Sequence, residues 1–394
     1  MNILVIGSGL MGPAAAYNAL SDPQVSLVTL LDMDEGQLAT AAARLHQLVT
    51  NGKRLETAAL DLSDQTAVAN IMARHDAIVA ALPSSAIPMG IRAAVAARTP
   101  WIDLSWPPPS ELPELEKLVV ENGALVIPGC GVEPGLTEIM ARYIAEKLDT
   151  VDELHIKCGG IPAQPSGPLS YKIVFGGRRL PLREADARIA ENGGLRTVPR
   201  YSGVETFTVE GVGEVEAWHE GFMPWLLELD VLKDLKLGTQ KTVRWPGYAS
   251  KVSLLKEMGL LSLEPLSVDG VQVAPKAVLD AVMYPHVQMA SEDRDITILR
   301  VEAHGCKKGR PRRYRVDMLD RYDEETGFTS MARVTAFTGA IVARMVARGD
   351  LRATGWVTPE KLITDGLFQQ LVAALAEAGI TFTLTKEKSK PLTG

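Results

Sequence analysis

The sequence predicts an α/β fold built on a parallel sheet with helices wound over both of its faces. Three observations predict it. Over the first 130 residues, short apolar runs alternate with helical patterns. The runs are apolar throughout, as strands buried on both faces must be. The chain has 394 residues, and at roughly 100–200 residues per domain that length suggests two or three domains.

The elements follow in order. Asn2–Ile6 reads as a buried strand ended by Gly7, and Met11–Leu20 as an Ala-rich helix. Val25–Leu31 is a second strand, ended by Asp32. Thr57–Leu60 is a third, ended by Asp61, and Ala77–Ala81 a fourth, ended by Leu82 and Pro83. Trp101–Leu104 and Ala124–Ile127 are the fifth and sixth. Helical patterns at 37–49, 64–74, 88–97 and 110–122 lie between them.

Composition narrows the function classes. Hydrophobic residues make up 46% and charged residues 23%, which argues against disorder and against a disulfide scaffold. A net charge of -7 disfavours a nucleic-acid partner, which calls for a basic face. Cys130, Cys158 and Cys306 form no CxxC pair, and their odd number points to a reducing cytoplasm. Neither HExxH nor paired Cys/His spacing is present, so no metal is expected. The apolar N-terminus lacks the positive start of a signal peptide, its first basic residue being Arg44. No other stretch of about eighteen apolar residues exists to span a membrane.

The first turn decides how the fold is used. Gly7-Ser8-Gly9-Leu10-Met11-Gly12 is GxGxxG, placed between a strand and a helix. Gly7 allows the tight turn, Gly9 a close pyrophosphate, and Gly12 close helix–strand packing. The helix N-terminus then presents free N–H groups to the phosphates. Asp32, at the end of the second strand, would accept hydrogen bonds from the adenine-side ribose. Together these features indicate the Rossmann dinucleotide fold. Met33, Asp34 and Glu35 follow, with no nearby Arg or Lys for a 2′-phosphate, which favours NAD over NADP. Asp61 and Leu62 are placed to flank the adenine, with a helix N-cap at Ser63 or Asp64 as the alternative. Ala81, Leu82 and Pro83 lie at the usual approach to the nicotinamide ribose.

Four further stretches carry a resemblance. They are Gly131–Thr137 (GVEPGLT), Pro168–Ile173 (PLSYKI), Thr242–Tyr248 (TVRWPGY) and Ser330–Phe337 (SMARVTAF), with Lys251–Leu260 after the third. In this order they resemble the saccharopine dehydrogenase family, and within it the lysine 6-dehydrogenase-like proteins. The resemblance implies a nucleotide domain at 1–130 and a substrate-binding and dimerisation domain at 131–330. The latter would be α+β with a mixed sheet. The C-terminal helices at 331–394 would return to the nucleotide domain. It also implies a homodimer or higher homo-oligomer. The residues agree in part: Leu154–Lys157, Thr206–Val209, Ile296–Ala303 and Tyr314–Leu319 have strand character, and Tyr248–Met258 and Lys276–Met283 look helical. Residues 176–204 read as loops, and Ser330–Arg348 as a long helix. Leu367–Ala378 and Thr381–Leu384 read as a last helix and strand, and Lys386–Gly394 as a frayed tail.

Removing a hydride from an amine carbon needs a proton acceptor and no metal, and an amino-acid substrate needs a cation for its carboxylate. Asp103, at the end of strand five, points at the crevice where such folds bind ligands, and could hold and deprotonate an amine. Loop capping is its alternative. Ser105 could bond the same amine. Lys172 and Tyr171 lie in a family-like stretch, where a lysine in a dry cleft could carry a proton. Arg244 could take the α-carboxylate in bidentate fashion. Arg333 could serve the site or the domain junction. Glu133 departs from the family pattern, which is small or apolar there, and could bind a cationic group. Cys130 reads as a small buried residue.

Three functions follow. The first is an NAD-dependent amino-acid dehydrogenase acting on a C–N bond; the resemblance narrows it to deamination of L-lysine at the ε-carbon, with release of ammonia. The second is a saccharopine or opine-type dehydrogenase, with a second carboxylate held by arginines at 178, 179, 183, 188 and 196. The third is a dinucleotide-binding protein without catalysis.

Overall fold

The computed structural model describes every residue except 50, 51, 53, 176 and 389–394. The chain divides into two compact units. One comprises Met1–Ile139, Asp323–Phe328 and Ala332–Thr381; the other comprises Met140–Tyr322, Thr329–Met331 and the C-terminal segment from Phe382.

The first unit is built on β1 (Asn2–Ile6), β2 (Leu27–Asp32), β3 (Arg54–Ala59), β4 (Ala77–Ala80), β5 (Trp101–Asp103) and β6 (Leu125–Ile127). Its order is β3-β2-β1-β4-β5-β6, with the short strand Gly355–Trp356 beside β6, and every pairing is parallel. This is the doubly wound order, reversing between β1 and β4. In the central strands Ile3, Leu4, Val5, Ile78, Val79 and Ile102 are fully buried, which is why their sequence is continuously apolar. Edge strand β3 instead alternates half-buried and exposed positions. Helices Gly12–Ser21, Glu35–Leu48, Gln65–Met72, Ile87–Ala97 and Leu112–Glu121 supply the crossovers.

The second unit carries β7 (Thr150–Pro162), β8 (Ala187–Glu191), β9 (Gly194–Val198), β10 (Glu205–Val209), β11 (Gly213–His219), β12 (Leu237–Arg244), β13 (Leu266–Val268), β14 (Val271–Val273), β15 (Asp295–Lys307) and β16 (Arg310–Arg321). Its large sheet runs β10-β11-β12-β7-β15-β16, closed by Thr383–Lys388, with the β8–β9 hairpin attached to β12. Only β12 and β7 pair in parallel among the described strands, so the sheet is mixed. The strands β13 and β14 form a separate hairpin.

Within 176–204 the expected loops flank a hairpin of β8 and β9, turned at Asn192-Gly193, both at positive φ. One expectation needs correction. The tail does not fray from Lys386, because Lys386 pairs with Tyr314 and Lys388 with Arg312; residues 389–394 lie outside the described residues. The Ser330–Arg348 helix forms over the expected bounds, and Ala332, Ala336, Ala340 and Ala343 are buried as well as Val334, Phe337, Ile341 and Met345. Its first turn is capped at a distance: Asp295 accepts the N–H groups of Ser330 at 2.7 Å and Met331 at 2.9 Å.

Candidate functional site

The glycine loop joins β1 to the helix Gly12–Ser21. Gly7 has φ +98°, and a Cβ there would strike the carbonyl of Ala81. A Cβ on Gly12 would strike the carbonyl of Gly7. Those two glycines are therefore required by the turn itself. A Cβ on Gly9 would meet nothing within 4 Å, so its side of the loop is open to a ligand. Leu10 is exposed and Met11 half-buried beside it. Asp32 ties the loop down: Ser8 donates its N–H to Oδ2 at 2.6 Å and its hydroxyl to the same oxygen at 2.7 Å. Asp34 N–H donates to Oδ1 at 2.9 Å. The exposed, glycine-lined loop with an acid at its base fits a dinucleotide pyrophosphate and ribose.

The neighbouring strand ends lie along the same edge. Asp61 is exposed and accepts Ser63 N–H at 2.8 Å, while Asp64 caps the next helix through Ala67 N–H at 3.0 Å. Leu62 is buried in the core. Asp64 is therefore the helix cap, and Asp61 stays exposed just past the end of β3. Ala81 and Leu82 are half-buried and Pro83 is exposed at the end of β4.

Asp103 is fully buried. The Trp101 indole donates to Oδ2 at 2.8 Å and Ser105 N–H to Oδ1 at 2.8 Å. Burial pushes its carboxyl up to about 7, although both bonds act to lower it. The backbone of the same strand end fixes the next loop. Asp103 C=O accepts Cys130 N–H, and Ser105 C=O accepts Gly129 N–H. In that loop Glu138 accepts Gly135 N–H at 2.5 Å and the Thr137 hydroxyl at 2.8 Å. Glu133 is half-buried with partners of its own, and the Glu133–Pro134 peptide is cis. Cys130 is buried and its thiol is pushed well above the usual range, chiefly by burial.

In the second unit, Arg244 ends β12 with 4% exposure. Its Nη1 donates to Val243 C=O at 2.7 Å, and its Nε is buried without a hydrogen bond. The guanidinium lies 4.7 Å from the ring centre of Tyr171 and 5.6 Å from that of Tyr248. Trp218 stacks on Tyr248, and Tyr201 packs on Trp218. A Cβ on Gly159 would strike the backbone carbonyl of Val243 and lie 3.0 Å from Nη1, so the glycine is required first by the paired strand and then by the guanidinium. Glu216 holds the following turn, accepting Gly247 N–H at 2.7 Å and Ala249 N–H at 2.6 Å. The Tyr171 hydroxyl is buried without a hydrogen bond, and burial raises its pKa.

The other buried lysines and arginines are paired. Lys157 meets Glu302, Arg200 meets Glu220, Lys241 meets Glu205, Lys276 meets Asp280, Arg333 meets Asp323 and Arg344 meets Asp22. Arg244 has no carboxylate within ion-pair distance among the described residues. Sequence reasoning found Arg244 and Tyr171 but missed Tyr248, Trp218 and Gly159. The TVRWPGY stretch contained Tyr248, while nothing local pointed to the other two.

Lys172 lies in the same unit, 3.1 Å from Asp293 and 3.0 Å from Gln288 C=O. Arg333, expected either at the site or in a structural role, is held within the first unit. Its Nη1 meets Asp323 at 2.9 Å and its Nη2 meets Ala378 C=O at 2.8 Å, so the guanidinium is committed to packing its helix. The expectation of no metal-ligand cluster is also corrected. Glu153, His155 and His304 gather their ligand atoms within 4.8 Å of one another, joined by strand pairing that linear spacing could not reveal. None of the helices among the described residues is long and apolar enough to cross a membrane. Cys130, Cys158 and Cys306 are free thiols.

Residues 3–125 match the family described as saccharopine dehydrogenase NADP binding domain, and residues 131–380 the saccharopine dehydrogenase C-terminal domain. Saccharopine dehydrogenase (NADP(+), L-glutamate-forming) of Saccharomyces cerevisiae is 25% identical over 280 residues, covering 66% of this chain and 58% of that protein. The Schizosaccharomyces pombe protein of the same name is 23% identical over 462 residues, covering 96% and 97%. The mitochondrial alpha-aminoadipic semialdehyde synthase of Bos taurus is 26% identical over 182 residues, 44% of this chain and 18% of its own. The chain thus spans little more than half of the first relative and under a fifth of the bovine protein. An apo structure of histidine-tagged saccharopine dehydrogenase (L-Glu forming) from S. cerevisiae shares the fold, with TM-score 0.80, 18% identity, and coverage of 98% of this chain and 99% of that one. Two domain matches, in the family's order and together covering most of the sequence, place this chain in the saccharopine dehydrogenase family.

Proposed function

We propose that the chain is a dehydrogenase acting on an amino-acid C–N bond, in its narrow form the NAD-dependent deamination of L-lysine at the ε-carbon. The observation that carries this reading is Arg244. A buried guanidinium without an ion-pair partner, on which Glu220 acts only from beyond that distance, is costly until an anion completes it. An amino-acid α-carboxylate matches its planar donor face.

When bound, the dinucleotide would accept hydride from the carbon bearing the amine. The chain's residues would do the rest. Gly7–Gly12 would bind the pyrophosphate, and Asp32 the adenine-side ribose. Asp32, Asp34 and Glu35 support NAD, whereas the matched family and the yeast relatives are named for NADP. Asp103 would orient the amine and take its proton, exchanging one of its present bonds, with Ser105 beside it. Lys172 would assist by leaving Asp293. Ala81–Pro83 would approach the nicotinamide ribose, and Glu133 would meet a cationic group of the substrate.

The names of the relatives favour a second reading, cleavage of saccharopine. That substrate carries more than one carboxylate. Arginines 178, 179, 183, 188 and 196 are all exposed, and Arg183 and Arg196 are paired with Glu220 and Glu191. This supports a substrate with one carboxylate to bury. Initial rates with L-lysine and with saccharopine separate the readings: turnover of lysine with ammonia release supports the first, and turnover of saccharopine alone the second. A cytoplasmic homodimer or higher homo-oligomer belongs to the same proposal, its assembly checked by light scattering.

A further inference from the structure

We propose that Glu153, His155 and His304 form a binding site for one divalent transition-metal ion of the zinc class, on the face of the second unit's sheet shared by β7 and β15. The strand pairing sets His304 directly opposite Glu153, beside the irregularity between His304 and Gly305. His155 follows Glu153 by two residues and so shares its face.

Glu153 Oε2 gathers both imidazoles by hydrogen bonds, at spacings that a metal ion could take over. Glu153 Oε2 lies 3.2 Å from His155 Nε2 and 3.1 Å from His304 Nδ1. Ligand atoms bonded to zinc at 2.0–2.1 Å in a tetrahedron stand about 3.3 Å apart. Two imidazoles and one carboxylate are a ligand set suited to zinc and its neighbours, with a fourth position left for water. An outer partner is also in place: Thr239 Oγ1 sits 2.8 Å from His155 Nδ1, which fixes the ring and leaves Nε2 for the ion. His304 Nε2 is buried without a hydrogen bond.

Each neighbouring cation is paired with a carboxylate. Lys157 lies 3.0 Å from Glu302 and 3.1 Å from Glu205, Lys241 lies 2.7 Å from Glu205, and Arg313 pairs with Glu302. The two histidines border a cavity of about 500 Å³, whose wall also includes His219 and Thr239. His155 and His304 themselves line that cavity, so the fourth position is reachable from it.

The test uses full-length protein stripped with chelator and titrated with zinc chloride by calorimetry, and with cobalt(II) followed by visible absorption. One equivalent of zinc should bind, with the intense bands of four-coordinate cobalt. In the His155→Gln/His304→Gln double variant the affinity should fall by at least about 100-fold, since losing ligands costs more than losing an outer-shell partner. Glu153→Gln should weaken binding with the fold kept, as judged by circular dichroism, and His219→Gln should leave it unchanged. Absence of saturable binding in the wild type would overturn the proposal. So would equal binding by the double variant, or equal loss in His219→Gln.

Discussion

Replacing Arg244 by Met removes the guanidinium and keeps a long apolar stem against Tyr171 and Tyr248. If Arg244 holds the substrate carboxylate, the variant loses a charge-assisted interaction worth about 1.5–3 kcal/mol. At about 1.4 kcal/mol per factor of ten, the KM for L-lysine rises by about 10–150-fold. Folding responds differently. The variant gives up one bond to Val243 C=O and two cation–π contacts, each worth roughly 0.5–2 kcal/mol. It also relieves several kcal/mol of buried-charge desolvation. The net change in stability should therefore stay within about 2 kcal/mol. The assay compares L-lysine with 1,5-diaminopentane, which has the same terminal amine and no carboxylate. The account expects the variant to discriminate far less between the two, with NAD affinity unchanged. An unchanged KM for lysine, or an equal penalty with the diamine, refutes the reasoning.

The remaining predictions concern other parts of the two units. Gly9→Ala should keep wild-type stability, because its Cβ meets open space, and lose dinucleotide affinity in fluorescence titration; Gly12→Ala should lose both. Gly159→Ala should crowd Arg244, destabilise by about 1–3 kcal/mol in urea unfolding and raise the lysine KM without affecting NAD. Arg333→Lys should lower the Tm and leave the KM unchanged, since Arg333 is tied to Asp323 and Ala378. Asp103 has a folded-state pKa raised by burial to about 7, so the folded form holds its proton longer than the unfolded chain does. Its contribution is full below the unfolded pKa of 3.8 and is lost as pH rises toward 7, a change on the order of 4 kcal/mol. Asp103→Asn should flatten that fall in denaturation curves across the window. If Asp103 takes the proton, it should also lower kcat by about 10²–10⁴-fold with NAD binding intact.

The parallel sheet was legible because its central strands are buried apolar runs, with Gly7, Asp32 and Pro83 marking strand ends, so local pattern and tertiary environment agree there. The second sheet hid its strands. In β12 the run LGTQKTVR looks solvent-facing, yet almost all of it is buried because Lys241 is paired with Glu205 and Gln240 bonds Met223 N–H. Glycines and arginines likewise disguised the β8–β9 hairpin. The glycine loop could be read because its residues are contiguous and its shape follows from backbone geometry. Arg244 was found through its neighbours, but the aromatic rings around it come from distant segments. Arg333 stayed open between two roles because a sequence gives no sign of which carbonyl or carboxylate an inward-facing arginine will meet. The Glu153–His155–His304 group depends on β7–β15 pairing and has no linear signature.

The most direct test of the central claim is the initial rate of cofactor reduction by purified protein. NAD or NADP would be offered with L-lysine, saccharopine and a panel of other amino acids. The account predicts reduction of NAD with L-lysine and stoichiometric ammonia. Turnover confined to saccharopine, a preference for NADP, or NAD binding without turnover of any amino acid would contradict it.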